Sequence, residues 1–366
     1  MAASRFRTAR YARAWLAGPN NVVEQDVSLD RDGTVVPATL ARPFEEAGPL
    51  PAWVVLHGVT RRGRQHEQLA RFTRTIVSTG AVAIVPEVPE WRNFELAPRL
   101  AVPTVRAAIA GLRASGWARD APVGLIGFSF GAPHAIAATA HPDIRDEVAG
   151  SVAFGGYCSL QRTVRFLMTG THDWGGRTHR LVPDPYGRWI VAANYLTAIP
   201  GYEDATDVTD ALRALCAEAG DRGIPSADPS LDALKGDLRA GLSEGRRALF
   251  DLFAPAAAEL PDAGRALEIA EQLAAAAHRV EPGIEPGPAL ARVGLPVHLL
   301  HARHDNLIPY SEGLRLRECL PESTWSRVTI TRLFGHSGQN SFPSLARALR
   351  ELPTFFAALR RVLRLV

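Results

Sequence analysis

The sequence predicts an α/β protein: a mostly parallel sheet with helices on both faces, three layers deep, interrupted by a helical insertion. Three observations carry this. Short, continuous apolar runs recur at Trp53–Leu56, Val82–Val85, Val123–Ile126, Ala149–Phe154 and Pro296–His301. Such runs suit strands buried on both faces, as a parallel sheet requires. Between most of them lie segments with apolar residues at helical spacing, and strand–helix alternation builds a parallel sheet. Finally, Gly127-Phe128-Ser129-Phe130-Gly131 breaks a strand and opens a helix, a turn in which a serine is forced off the sheet edge.

Taken in order, residues 1–21 form an N-terminal arm in which arginines alternate with apolar residues. The arm lacks the continuous apolar stretch of a secretory signal. Residues 22–156 read as the first part of the core. Val22–Leu29, a turn at Asp30–Gly33 and Thr34–Ala41 make an antiparallel hairpin. A helix over about residues 65–79 places Leu69, Phe72, Ile76 and Val77 on one face. Another, around Pro103, precedes the Ser129 strand. Residues 157–290 read as the helical insertion, with helices near 210–219, 231–242, 246–253 and 263–277 separated by Pro/Gly-rich joints. Sheet grammar resumes over residues 291–366, with strands at Pro296–His301 and Val328–Leu333 and a closing helical segment interrupted by Pro353.

At 366 residues, 46% hydrophobic and 22% charged, the composition is that of a globular protein. The formal charge is only +3, and Lys235 is the sole lysine. The basicity is therefore an arginine bias, with no basic stretch interleaved with aromatics as nucleic-acid binding requires. No apolar run approaches the roughly 20 residues of a membrane span. Cys158, Cys216 and Cys319 are odd in number and widely spaced. They predict reduced thiols in a cytoplasmic protein, with neither a disulfide framework nor a zinc site.

The chemistry follows from three residues in the order Ser129, Asp305, His336. A serine hydroxyl needs a neutral imidazole to take its proton. That imidazole needs a carboxylate to hold its tautomer. Each of the three follows the C-terminal end of a predicted strand, and those ends share one rim of a parallel sheet, where ligands bind. The spacing thus predicts a nucleophile, an acid and a base brought together by the fold. His301 and His304 stand too close to Asp305 in sequence to reach Ser129, and His134 reads as a helix residue of the pocket wall or core.

These motifs resemble the α/β-hydrolase superfamily, over roughly Thr34–Tyr157 and Pro296 to the C-terminus. The resemblance implies an oxyanion hole formed by the backbone N–H groups of Val59, after His57-Gly58, and of Phe130, after the nucleophile. It implies that His57 orders its loop. It also gives the insertion the place of the superfamily's variable cap. Ala132 and Ala302 stand where that family often has glycine. A serine nucleophile points away from haloalkane dehalogenases and epoxide hydrolases.

The reaction implied is acyl transfer through an acyl-enzyme, with no metal and no cofactor. A carboxylic ester is the first substrate class, a peptide or amide bond the second and a thioester the third. A small-molecule acyl substrate is the expected partner. A catalytically silent binding protein is the alternative of another class. His57, Gly58, Phe128, Tyr157 and Arg62 are the candidate substrate-binding residues. Phe128, Phe130 and Tyr157 are expected to enclose an apolar acyl chain. Arg61, Arg62, Arg64 and Arg92 follow strand ends on the active rim, which raises an anionic substrate as a further expectation.

Overall fold

The computed structural model of the chain describes residues 2–19, 21–45, 48–257, 259–333 and 345–366. Helix α1 (Ala2–Ala17) leads into the hairpin β1 (Val22–Arg31) and β2 (Thr34–Pro43), then β3 (Ala52–Leu56), α2 (Glu67–Val77) and β4 (Val82–Pro86). A short turn of helix, α3 (Pro89–Arg92), and α4 (Ala101–Ala114) precede β5 (Val123–Phe128), α5 (Gly131–Ala138) and β6 (Val148–Phe154). The eight strands of the main sheet, including β9 (Val297–Ala302) and β10 (Ser326–Thr331), run in the order β1-β2-β4-β3-β5-β6-β9-β10. Only the pairings of β2 with β1 and with β4 are antiparallel. From β4 to β10 the sheet is parallel.

The two-residue period of a strand divides the core. Val54 and Leu56 face one layer with Ile84 and Leu125, under α4. Trp53 and Val55 face the other with Val85 and Ile126, under α1, α2 and α14 (Leu345–Val362). The N-terminal arm is thus a helix docked on the core: Tyr11 is buried and meets the Phe72 ring edge at 6.5 Å. Helix α14 runs through Pro353 rather than breaking there. Packing of Ala358, Leu359, Val362 and Leu363 offsets the one backbone hydrogen bond a proline removes.

Between β6 and β9 the chain makes α6 (Leu160–Thr169), a separate hairpin of β7 (Thr171–Trp174) and β8 (Arg177–Arg180), and α7 (Pro185–Tyr195). Then follow α8 (Thr206–Arg222), α9 (Asp232–Gly241), α10 (Glu244–Phe253), α11 (Ala263–Val280) and α12 (Gly287–Leu290). The insertion is mostly helical, as the sequence predicts, but the hairpin and α7 are additions to that expectation. The Pro183-Asp184-Pro185 stretch, read as a joint, is a helix start: Asp184 accepts the Tyr186 N–H at 3.0 Å and Pro185 takes the first helical position. After β9, α13 (Tyr310–Cys319) packs on the sheet beside β10.

The expectation of three reduced thiols is corrected here. Cys158, at the start of the insertion, is bonded to Cys319, at the end of α13, and Cys216 is free and buried. A separation of 161 residues hides such a pair from a sequence, since only the fold sets the two ends side by side. No helix among the described residues is long and apolar enough to cross a membrane.

Two measurements check this architecture. Thiol titration of the unfolded, unreduced chain should find one reactive cysteine, rising to three on reduction; three at the outset would break the Cys158–Cys319 assignment. The second concerns three buried histidines. Burial pushes His134 down to about 3 and His172 to about 4. Burial, with Arg361 and Arg327 near by, pushes His298 down to about 4. The unfolded chain binds these protons at the ordinary imidazole value of about 6.5. Stability is then complete above that value and falls as pH drops from about 6.5 toward 4. The melting temperature should decline across this window, and less steeply for His298→Gln. A wild-type melting temperature flat from about pH 7 to 5 would contradict the neutral, buried histidines.

Candidate active site

Ser129 follows β5 with φ at +51°, in the left-handed region that non-glycine residues rarely occupy. The turn closes because its glycines lack side chains. A Cβ on Gly127 would stand 2.4 Å from the Gly131 carbonyl oxygen, and one on Gly131 would stand 2.5 Å from the His57 carbonyl oxygen. Both obstacles are backbone and cannot swing away. The Ser129 N–H donates to Phe154 O of β6 at 2.8 Å, which ties the turn to the neighbouring strand. Helix α5 starts two residues later, with its first N–H groups beside the serine.

The loop after β3 lies against this turn. A Cβ on Gly58 would come within 2.9 Å of Ser129 Cβ and 3.4 Å of Ser129 Oγ. His57 is buried beneath the loop. Its Nδ1–H donates to the Gly58 carbonyl at 2.6 Å, while Nε2 faces the Val88 N–H and Glu87 Oε1, each at 3.0 Å. The carbonyl held by His57 belongs to the same peptide unit as the Val59 N–H. In a trans peptide the two point in opposite directions, so anchoring one aims the other.

Val59, Ser129 and Phe130 of the core and Tyr157, where the insertion begins, line a cavity of about 70 Å³. Its remaining walls come from Leu96, from Leu160, Thr163 and Leu167 of α6, from Tyr186, Gly187, Ile190 and Val191 of α7, and from Leu307 and Ile308. The lining is almost wholly apolar. A larger cleft of about 660 Å³, bounded by Cys158, Arg162, Glu271, His278, Arg315 and Cys319 among others, does not include Ser129. The small cavity, which contains the strained serine, is therefore the candidate site.

Asp305 is buried on the loop after β9. Its Oδ1 accepts the Leu307 and Ile308 N–H groups at 3.0 and 2.8 Å, and its Oδ2 lies 3.4 Å from His301 Nε2. The two hydrogen bonds tie Asp305 to Leu307 and Ile308, two residues of the cavity wall. His301 in turn holds the Ile308 carbonyl at 2.8 Å, a supporting place, while His304 is exposed. His336 lies outside the described residues.

His134, one turn into α5, is buried at 3.1 Å from the Tyr157 hydroxyl, which donates to the Ile284 carbonyl at 3.0 Å. The carbonyl can only accept, so the Tyr157 oxygen takes the His134 Nε2–H. This chain joins the helix behind Ser129 to the end of the insertion.

Of the candidate substrate-binding residues only Tyr157 lines the cavity: His57 and Gly58 lie in the loop behind Val59, and Phe128 and Arg62 are placed elsewhere. Phe128 stacks on Phe154 at 4.8 Å and meets the Phe72 edge at 5.1 Å, on the sheet face away from the cavity. One step before Ser129, the strand's alternation sends it to the opposite side. Arg62 pairs with Glu67 at 2.8 Å, Arg61 with Asp221 at 2.9 Å and Arg64 with Asp26 at 2.7 Å. Arg92 donates to the Arg61 carbonyl at 3.0 Å. None of the four lines the cavity, so the anionic-substrate expectation loses its structural basis. Conversely, the α7 residues of the wall escaped the sequence reading. The Asp184-Pro185 start followed by Tyr186, Ile190 and Val191 at helical spacing was the available signal.

No protein-family model and no curated protein matches the chain. Among solved structures, Pyrococcus horikoshii acylaminoacyl peptidase superposes with a TM-score of 0.50 at 12% identity, over 93% of this chain and 42% of the peptidase. The chain thus spans about two fifths of that protein. A Rhizomucor miehei esterase (TM-score 0.49, 16% identity) is covered over 91% of its length and 99% of this chain. A Mycobacterium tuberculosis puromycin-hydrolysing peptidase (TM-score 0.48, 17% identity) is covered over 39% of its length and 93% of this chain. With its strand order, its serine turn and the likeness to the archaeal peptidase, the chain has the α/β-hydrolase fold.

Proposed function

We propose that the chain is a serine hydrolase that cleaves carboxylic esters with short acyl groups through an acyl-enzyme. The observation that carries this reading is Ser129, held at φ +51° in the wall of a cavity shared with Val59 and Phe130. The likeness to an acylaminoacyl peptidase is in keeping with a hydrolase. Residues 157–290 act in this reading as a cap, since α6 and α7 supply half of the residues of the cavity wall.

In the reaction, Ser129 Oγ attacks the acyl carbonyl while His336 takes its proton, and Asp305 stabilises the imidazolium. The Val59 and Phe130 N–H groups receive the oxyanion; one such donor is typically worth about 3–4 kcal/mol. His336 then gives its proton to the leaving alcohol. Water, deprotonated by the same imidazole, attacks the acyl-enzyme; the imidazolium returns that proton to Ser129 Oγ as the ester bond to the serine breaks and the carboxylic acid leaves. Apolar walls exclude bulk water from the oxyanion and strengthen those hydrogen bonds.

Ser129→Ala should fold as wild type, lose labelling by a small fluorophosphonate and reduce ester turnover by several powers of ten. His336→Ala should be nearly as damaging, and Asp305→Asn severe. Wild-type turnover should rise with pH through the titration of an imidazole, about 6 to 7. A Ser129→Ala enzyme with half the wild-type activity would refute the assignment.

Acyl length gives a separate check. A cavity of about 70 Å³ is roughly half the ~150 Å³ that accommodates benzene. Across p-nitrophenyl esters, kcat/KM should peak at about two to four acyl carbons and fall for octanoate. Leu167→Ala or Ile190→Ala should shift the peak to longer chains. An optimum at long chains in wild type would contradict the short-acyl specificity. Acyl amides and thioesters tested alongside decide which bond the same residues cleave best.

A further inference from the structure

The first turn of α7 sits between two loops of the candidate site. On one side the Asp184 N–H donates to the carbonyl of Asn306, the neighbour of Asp305, at 2.7 Å. On the other, the Tyr186 hydroxyl donates to the carbonyl of Val59 at 3.2 Å. The two residues are coupled, because Asp184 Oδ1 accepts the Tyr186 N–H at 3.0 Å and is itself buried. Gly187 follows directly, and a Cβ there would stand 2.8 Å from Leu307 Cδ1 and 2.5 Å from Leu167 Cδ2. The turn is therefore wedged against the acid loop and cannot drift away from Val59.

Val59 is held from both of its peptides. His57 holds the preceding one through the Gly58 carbonyl, and Tyr186 holds the following one through the Val59 carbonyl. With only φ and ψ free between two fixed planes, the Val59 N–H has one direction. We propose that Tyr186, a residue of the insertion, is a positioning residue for acyl transfer: its hydroxyl fixes the Val59 carbonyl and thereby aims the Val59 N–H at the oxyanion. The inference rests on the acyl-enzyme reading and adds to it that the oxyanion hole is complete only when the insertion is docked. Tyr195 offers a matched comparison. It ends the same helix and donates, at the same 3.2 Å, to the carbonyl of Leu96, a residue of the cavity wall and not of the His57–Val59 loop.

Tyr186→Phe keeps the ring that meets Phe94 edge-on at 6.2 Å and removes only the hydroxyl. It should lower kcat about tenfold with KM within about twofold, because an interaction made in the transition state is lost. The Kd of an alkyl boronic acid, whose tetrahedral adduct places an oxygen in the oxyanion position, should rise by about the same factor. Tyr195→Phe should leave kcat within about twofold of wild type. Tyr186→His keeps a ring donor and should lose less than the tenfold of the phenylalanine variant; an equal or greater loss overturns the role of the donor. Wild-type kcat in Tyr186→Phe, or equal losses in Tyr186→Phe and Tyr195→Phe, would overturn the positioning role while phosphonate labelling of wild-type Ser129 stands. A wild-type chain that takes no label at Ser129 overturns the acyl-enzyme reading, and the positioning role with it.

Discussion

The turn that carries Ser129 from β5 into α5 constrains everything around it. A left-handed serine costs of order 1–3 kcal/mol and persists only where neighbours leave no alternative. Here the neighbours are backbone: the Gly131 carbonyl against Gly127, the His57 carbonyl against Gly131, and the Phe154 carbonyl on the Ser129 N–H. Because β3 and β6 flank β5 in parallel register, their ends deliver the His57–Val59 loop and the start of the insertion to either side of the serine. The strained residue, the His57–Val59 loop beside it and the first wall of the cavity are consequences of one strand order.

The insertion completes what that rim begins. Helices α6 and α7 turn an open sheet edge into a small apolar enclosure, and polar ties run between the two parts. Tyr186 reaches the Val59 carbonyl, Tyr157 the His134 ring of α5, and Arg162 of α6 the buried Glu312 of α13. Glu312 also accepts the Cys158 and Ser159 N–H groups at 3.0 and 2.9 Å, which closes the polar inventory of a buried carboxylate. The Cys158–Cys319 bond spans the same seam. Insertion and sheet thus meet through buried, directional contacts, a firmer join than apolar packing alone.

Charge plays a different part from the one its distribution along the chain suggests. The arginines after the β3 loop are matched by Glu67, Asp26 and Asp221, so they join the loop to α2, β1 and α8. Exposed pairs of this kind contribute little stability individually, but each removes a guanidinium from the set available to a substrate. The cavity beside Ser129 is lined by none of them.

Local periodicity and spacing by themselves determined the sheet class, most strand positions and the serine turn, because these depend on contacts within a few residues. Apolar runs report burial on both faces, and two glycines around a serine report a turn that no other residues could close. The places of Ser129, Val59, Phe130 and Tyr157 around one cavity were legible for that reason. What tertiary structure decided were matters of direction and partnership between distant segments. Phe128 turned to the far face because its strand alternates, and Arg62 turned outward because Glu67 lies on the next helix. Cys158 met Cys319 only because β6, which precedes it, pairs with β9, and α13 packs on β9. Tyr186 became part of the site because a helix of the insertion, more than 50 residues beyond the serine, folds back over it. No local pattern encodes that return; it follows from where the apolar faces of α6 and α7 find burial.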